Sequence, residues 1–223
     1  MESIRTALTR PEFLIVWLAL VAVSVVWLIR DLRLRNPEIA GMMKWVWIFT
    51  VVYSGPLGLA AYFYSGRKQM RHDSLWRRAL RSTAHCYSGC GAGEIAGVLI
   101  AVGWLALASL WVATITFVLA YLAGFAMTVG PLVQEGVAPR RALWDAFTSE
   151  TASITVMEIT AIGADLLLAG EARLADVLFW ASLVVSLSVG FVAAYPVNAL
   201  LVWFGVKEGM HSPKEHAAGR GHG

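Results

Sequence analysis

The chain has 223 residues, of which 58% are hydrophobic; its mean hydropathy is +0.64 and its formal net charge +3. Soluble domains use about 45–50% apolar residues, so this composition excludes an ordinary soluble globular protein. It points instead to an all-α integral membrane protein, and a pass along the chain yields about six transmembrane helices.

A span needs about 20 mostly apolar residues. The first candidate, Phe13–Ile29, follows Arg5 and Arg10, as a signal peptide would. No small-residue cleavage site comes after it, only Trp27-Leu28-Ile29-Arg30, so it reads as a retained anchor. The second candidate, Trp45–Tyr64, contains Pro56, which frees a backbone carbonyl and can kink a helix. Residues 1–64 are thus predicted to form an N-terminal two-helix membrane hairpin.

Residues 65–84 read as a basic cytoplasmic linker. Between Ser65 and Arg81 there are six basic residues, Arg67, Lys68, Arg71, Arg77, Arg78 and Arg81, against one acid, Asp73. That local charge of +5 leaves −2 for the rest of the chain. The positive-inside rule keeps such a loop in the cytoplasm, where it touches anionic lipid rather than nucleic acid. Leu75-Trp76 gives its end an amphipathic character that suits a helix lying on the membrane surface.

The stretch His85-Cys86-Tyr87-Ser88-Gly89-Cys90-Gly91-Ala92-Gly93-Glu94 holds both cysteines of the chain. On a helix, Cys86, Cys90 and Glu94 recur every four residues on one face, with Cβ atoms about 5–6 Å apart at each step. Thiolates select Cu(I) or Zn(II), and nearby Arg and Lys favour the thiolate. His85 or Glu94 could complete a ligand shell. The alternative is a pair of small residues packed in a glycine-rich face. Gly89, Gly93 and Gly97 form a small-residue ridge for close helix approach, and Ala120-x3-Gly124 is its candidate partner.

The apolar run Ile95–Val133 would make a single rod of about 58 Å, against a hydrocarbon core of about 30 Å, so it is predicted to split into two spans near Ser109-Leu110-Trp111. The Arg140-Arg141 loop follows. In the fifth span, Phe147–Leu168, Glu150, Glu158 and Asp165 return to one face along about 22 Å. Intramembrane carboxylates are costly and mark ion paths or binding sites. Glu158, nearest mid-span, is the informative one, and Met157 beside it adds a thioether. The alternative role of Glu150 and Asp165 is to reach the two interfaces. In the sixth span, Val177–Val206, Asn198 suits a hydrogen bond between helices.

Residues 85–206 are predicted as a four-helix transmembrane unit, and 207–223 as a flexible tail carrying His211, His216 and His222. Six spans put both termini, the 65–84 linker and the Arg140-Arg141 loop in the cytoplasm. Arg30, Arg33 and Arg35, just after the first span, then fall on the wrong side. The cysteines face a reducing compartment, where disulfides are rare. No nucleotide-binding loop, zinc-protease motif or nucleophile elbow is present, so an enzyme is not expected.

The predicted function is a membrane transporter, channel or handler of a transition metal ion, Cu(I) favoured and Zn(II) the other candidate. Its ligand set would be Cys86, Cys90, His85, Glu94, Met157 and Glu158, with Glu150, Glu158 and Asp165 as the ion path. The alternatives are a non-transporting accessory subunit of a larger membrane complex and a proton or cation channel working through Glu158. Expected partners are membrane lipid, with small-residue ridges that suit a homo-oligomer or larger membrane complex, and no nucleic acid.

At His85-Cys86-x3-Cys90-Gly91-x-Gly93-Glu94-Ile95-x-Gly97 the chain resembles a bacterial membrane family known as domain of unknown function 4396. Pro131-Leu132, Arg140-Arg141-Ala142, Thr151-Ala152-Ser153-Ile154, Met157-Glu158 and Phe191–Asn198 carry the resemblance further, over about residues 84–205. It implies a multi-pass protein of the bacterial inner membrane. It also implies that the Cys86/Cys90 face and the Met157-Glu158 pair belong together. It implies no activity.

Overall fold

A computed structural model describes residues 2–70, 72–105, 107–134, 136–170 and 172–210. The described residues form helices and connections without a strand: α1 (Glu2–Leu8), α2 (Pro11–Leu34), α3 (Gly41–Ser54), α4 (Pro56–Ser65), α5 (Leu75–Val98), α6 (Ser109–Gln134), α7 (Pro139–Leu168) and α8 (Val177–Trp203). A π-helical segment, Leu99–Trp104, continues α5. Five helices are long and apolar enough to cross a membrane: α2, α5 with its π extension, α6, α7 and α8.

The sixth candidate differs from expectation. The apolar stretch 45–64 is broken at Gly55-Pro56, and its halves fold back on one another. Gly55 has φ +53 and ψ −125, a conformation open to glycine and strained for any residue with a Cβ. Pro56 opens α4 at its first turn, where a missing N–H costs nothing. The chain therefore reverses instead of kinking. Trp47 packs edge-on against Tyr62, with ring centroids 5.4 Å apart. At about 21 and 15 Å, α3 and α4 are each too short for the hydrocarbon core.

One buried carboxylate ties the base of this hairpin to the end of α2. Asp31 accepts from Arg67 Nε at 3.1 Å and Nη2 at 2.9 Å, from Tyr62 Oη at 2.9 Å and from Asn36 Nδ2 at 2.8 Å. Asn36 Oδ1 in turn accepts from the Lys68 amide at 3.0 Å. The tip, Gly55, lies against Trp17 and Val21, midway along α2. The C-terminal end of α2 and both ends of the hairpin thus share one end of the molecule.

Helices α5 to α8 form an up-and-down bundle. The glycine ridge of α5 meets the small face of α6 as the spacing predicts. A Cβ on Gly89 would stand 2.9 Å from Gly124 Cα, one on Gly93 2.6 Å from Ala120 Cα, and one on Gly97 2.7 Å from Thr116 Cα. The run 95–133 divides at Ser109, also as predicted. α5 begins at Leu75, N-capped by Ser74, so residues 75–84 of the basic stretch are the first turns of the cysteine-bearing helix.

The two ends of the bundle differ in charge. Arg30, Arg33, Arg35, Arg67, Lys68, Arg77, Arg78, Arg81, Arg140, Arg141 and Lys207 gather at one, hereafter the basic end. Arg5, Arg10 and Arg173 lie at the other, where Leu8 packs with Leu168 and Ala181 and Arg5 reaches Gly170. Arg5 and Met210 are therefore at opposite ends of the molecule. An even number of spans would have put both at one end.

Candidate functional site

Both cysteines are buried on the inner face of α5, with Sγ atoms 3.9 Å apart. One helical turn between them sets that spacing. Gly124 of α6 makes room for the sulfur, since a Cβ there would stand 2.5 Å from Cys90 Sγ and 3.3 Å from Ile154 Cδ1. The closely packed ridge thus creates the space in which the thiols sit.

Glu158 of α7 is fully buried, and among the described residues neither carboxyl oxygen has a partner at hydrogen-bond distance. Its electrostatic neighbours are Glu94, Cys86 and Cys90. A buried carboxyl without partners is expensive, because desolvation of a polar group is offset only by hydrogen bonds or a bound ion. The Cys90 thiol, a weak donor, is within reach of Glu158.

Glu94, two turns from Cys86 on α5, lines a cavity of about 570 Å³ that also touches Asp165, Thr116, Ser109 and Arg173. It lies at the end opposite the basic one, where α5 meets α6 and α7 meets α8. Asp165 accepts from Ser182 Oγ at 2.8 Å. Glu94 interacts electrostatically with both Asp165 and Glu158. From the cavity toward the basic end, Glu94, Glu158 and the thiol pair thus lie within electrostatic range of one another. The π-helical segment begins five residues beyond Glu94 and closes Leu105 N–H to Ile100 O at 3.1 Å. Such wide turns are frequent at functional sites.

Met157 belongs to the same buried core cluster as Cys86 and Cys90. Met157 lies against Gly190 of α8, where an added Cβ would be 3.3 Å from its Cγ. The charged neighbour of His85 is Lys207. Among the described residues no group of three His, Cys, Asp or Glu side chains converges in a metal-binding arrangement. His211, His216 and His222 lie outside the described residues.

Glu150 is tied into a polar cluster at the basic end. Lys207 Nζ donates to Glu150 Oε2 at 2.7 Å and to Asn198 Oδ1 at 3.1 Å. Thr128 donates to Glu150 Oε1 at 3.3 Å, and Asn198 Nδ2 donates to Ser153 Oγ at 2.5 Å. Asn198 bridges α8 to α7, the role its position predicts. Lys207 was hidden from sequence reasoning: a lone lysine beyond an apolar run looks like an interfacial anchor.

Residues 75–207 match the family described as Domain of unknown function (DUF4396). No curated protein and no solved structure matches the chain.

Proposed function

The chain belongs to the Domain of unknown function (DUF4396) family, and as that description assigns no activity, we propose from the site itself that the α5–α8 bundle carries a cation across the membrane. The path runs from the cavity at Glu94 and Asp165, through Glu158, to Cys86 and Cys90. The observation that carries this reading is Glu158, a wholly buried carboxyl with two unpartnered oxygens, set between an acid-lined cavity and two thiols. A positive ion is the partner such a group lacks.

Sulfur makes a transition metal the favoured cargo. With metal–sulfur bonds of about 2.3 Å, a 3.9 Å separation corresponds to a sulfur–metal–sulfur angle of about 116°. A linear two-thiolate centre would need about 4.6 Å by the same geometry. The spacing thus favours a tetrahedral or trigonal ion, Zn(II) or three-coordinate Cu(I), with Glu158 turning in as the third ligand. Purified protein should bind Zn(II) or Cu(I) under reducing conditions and pass it into vesicles holding a metal-sensitive dye. Cys86→Ser/Cys90→Ser should abolish both. Metal retained by the double substitution would place the ligands elsewhere.

A second reading, a proton path, is favoured by the row Asp165, Glu94 and Glu158, which needs no sulfur. It requires proton flux that survives loss of both cysteines and disappears in Glu158→Gln.

For topology we propose five spans, with α3–α4 as a re-entrant hairpin, the basic end in the cytoplasm and the N-terminus outside. Irregular backbone at membrane depth is tolerated where protein surrounds it, and half of α3 is buried. Arg30, Arg33 and Arg35 then obey the positive-inside rule. Impermeant labelling of N- and C-terminal tags should find them on opposite faces; a common face would sink this topology.

A further inference from the structure

Beyond Trp203 the chain turns back over the basic end of the bundle. Gly205 has φ +70, and the amides of Val206 and Lys207 return to Leu201 O at 3.0 and 3.2 Å. This reversal sends the Lys207 side chain down between the helices, where it is 11% exposed. The segment then crosses from α8 to α5. Met210 N donates to Ser82 Oγ at 3.1 Å, and Met210 O accepts from Arg81 Nε at 2.9 Å.

Lys207 stands where a passing ion would leave. Glu150 lies eight residues, about 12 Å, from Glu158 on the same face of α7. It is within electrostatic reach of Cys90. The ammonium is held by a carboxylate oxygen at 2.7 Å and an amide oxygen at 3.1 Å. The amide's orientation is fixed, because Asn198 Nδ2 donates to Ala194 O, which can only accept. An oxygen cage around an ammonium is also a cage for a free cation, since both are recognised by the same acceptors.

We propose that Phe204–Met210 is a strap closing the cytoplasmic end of the path, with the Lys207 ammonium as a tethered cation in a Glu150–Asn198 site. A carried cation occupies that site once the strap swings away. Its cation-exchange half rests on the cation-carrier reading; its closure half does not.

Two variants and two readouts test it. Lys207→Gln removes the tethered charge. Gly209→Val unseats the strap without touching the site: Gly209 has φ +74, and its Cβ would meet Arg78 Cβ at 3.1 Å and Val202 Cγ2 at 3.2 Å. The first readout is the rate at which a charged maleimide labels Cys86 and Cys90, the chain's two cysteines, both buried. The second is Zn2+ uptake into vesicles. Size-exclusion chromatography verifies that each variant stays folded. Labelling at least tenfold faster in both variants, with faster uptake, supports the whole proposal. Wild-type labelling rates in both folded variants overturn it. Faster labelling with no Zn2+ uptake by any form supports closure by the strap and overturns the carrier reading, with the cation-exchange half.

Discussion

Replacing Gly93 by alanine tests whether the α5–α6 contact holds the site together. The new Cβ would collide with the Leu119 carbonyl oxygen and stand 2.6 Å from both Ala120 Cα and the Leu119 carbonyl carbon. Ordinary contact begins at 3.4 Å, so α6 must retreat by at least about 0.8 Å, and all three obstacles are backbone with no rotamer to yield. Overpacking of this kind costs about 1–3 kcal/mol, offset by about 0.8–1.0 kcal/mol of helix propensity gained over glycine. The net expectation is a loss of up to about 2 kcal/mol. Gly163→Ala on α7 is the control: an added Cβ there meets nothing within 4 Å, so only the propensity gain of at most about 1 kcal/mol remains. For a chain of this size each kcal/mol moves Tm by about 2–4 °C. The two variants should therefore differ by the overpacking cost, at least about 2 °C, in thermal unfolding in detergent followed by tryptophan fluorescence. A Gly93→Ala protein as stable as Gly163→Ala would refute the close-approach argument. Equal destabilisation of Gly163→Ala would refute the use of these distances altogether.

Glu158→Gln should leave Tm unchanged or raise it, because an unpartnered buried carboxyl contributes no hydrogen bond, while Zn2+ uptake falls at least tenfold; retained uptake would remove Glu158 from the path. Asp31→Asn breaks the two-pronged contact with Arg67 and should cost up to about 3 kcal/mol, tempered by the 21% exposure of the Arg67 side chain. Limited proteolysis of the connections flanking α3–α4 should accelerate with it, and an unchanged digestion pattern would argue against Asp31 as the tie. At the surface, the Lys68 ammonium holds the Glu38 carboxyl below the ordinary glutamate range. With the folded-state value depressed, the contribution of this contact is complete above the ordinary range and disappears as pH falls through the lowered value. Carboxyl chemical shifts should report that low titration, and Lys68→Met should return it toward normal.

Periodicity and small-residue spacing made most of the bundle legible. The break at Ser109 follows from length against bilayer thickness. The meeting of Gly89, Gly93 and Gly97 with Ala120 and Gly124 follows from a four-residue step repeated on two helices. The thiol pair is legible for the same reason. Hydropathy could not distinguish a kink from a reversal at Gly55-Pro56, because an average over residues 45–64 is blind to direction. The signal was electrostatic: Arg30, Arg33 and Arg35 break the positive-inside rule unless the next segment turns back. Met157 and Glu158 are neighbours in sequence but about 100° apart around the helix, so adjacency alone does not set which of them faces the sulfurs. Lys207 reaches Glu150 only through the backward turn at Gly205, which no local pattern announces.

Arg81 is 1% exposed, and each of its three acceptors comes from a different flank of the bundle: Ser65 O at 3.0 Å, Asp73 Oδ2 at 2.5 Å and Met210 O at 2.9 Å. All three lie outside residues 75–207, the stretch that defines the family. A four-helix unit cut at those limits would keep the guanidinium and lose its whole solvation shell. The end of the N-terminal hairpin, the connection carrying Asp73 and the C-terminal strap are thus the bundle's substitute for water around one charge, and removing any one of them leaves a buried guanidinium short of an acceptor.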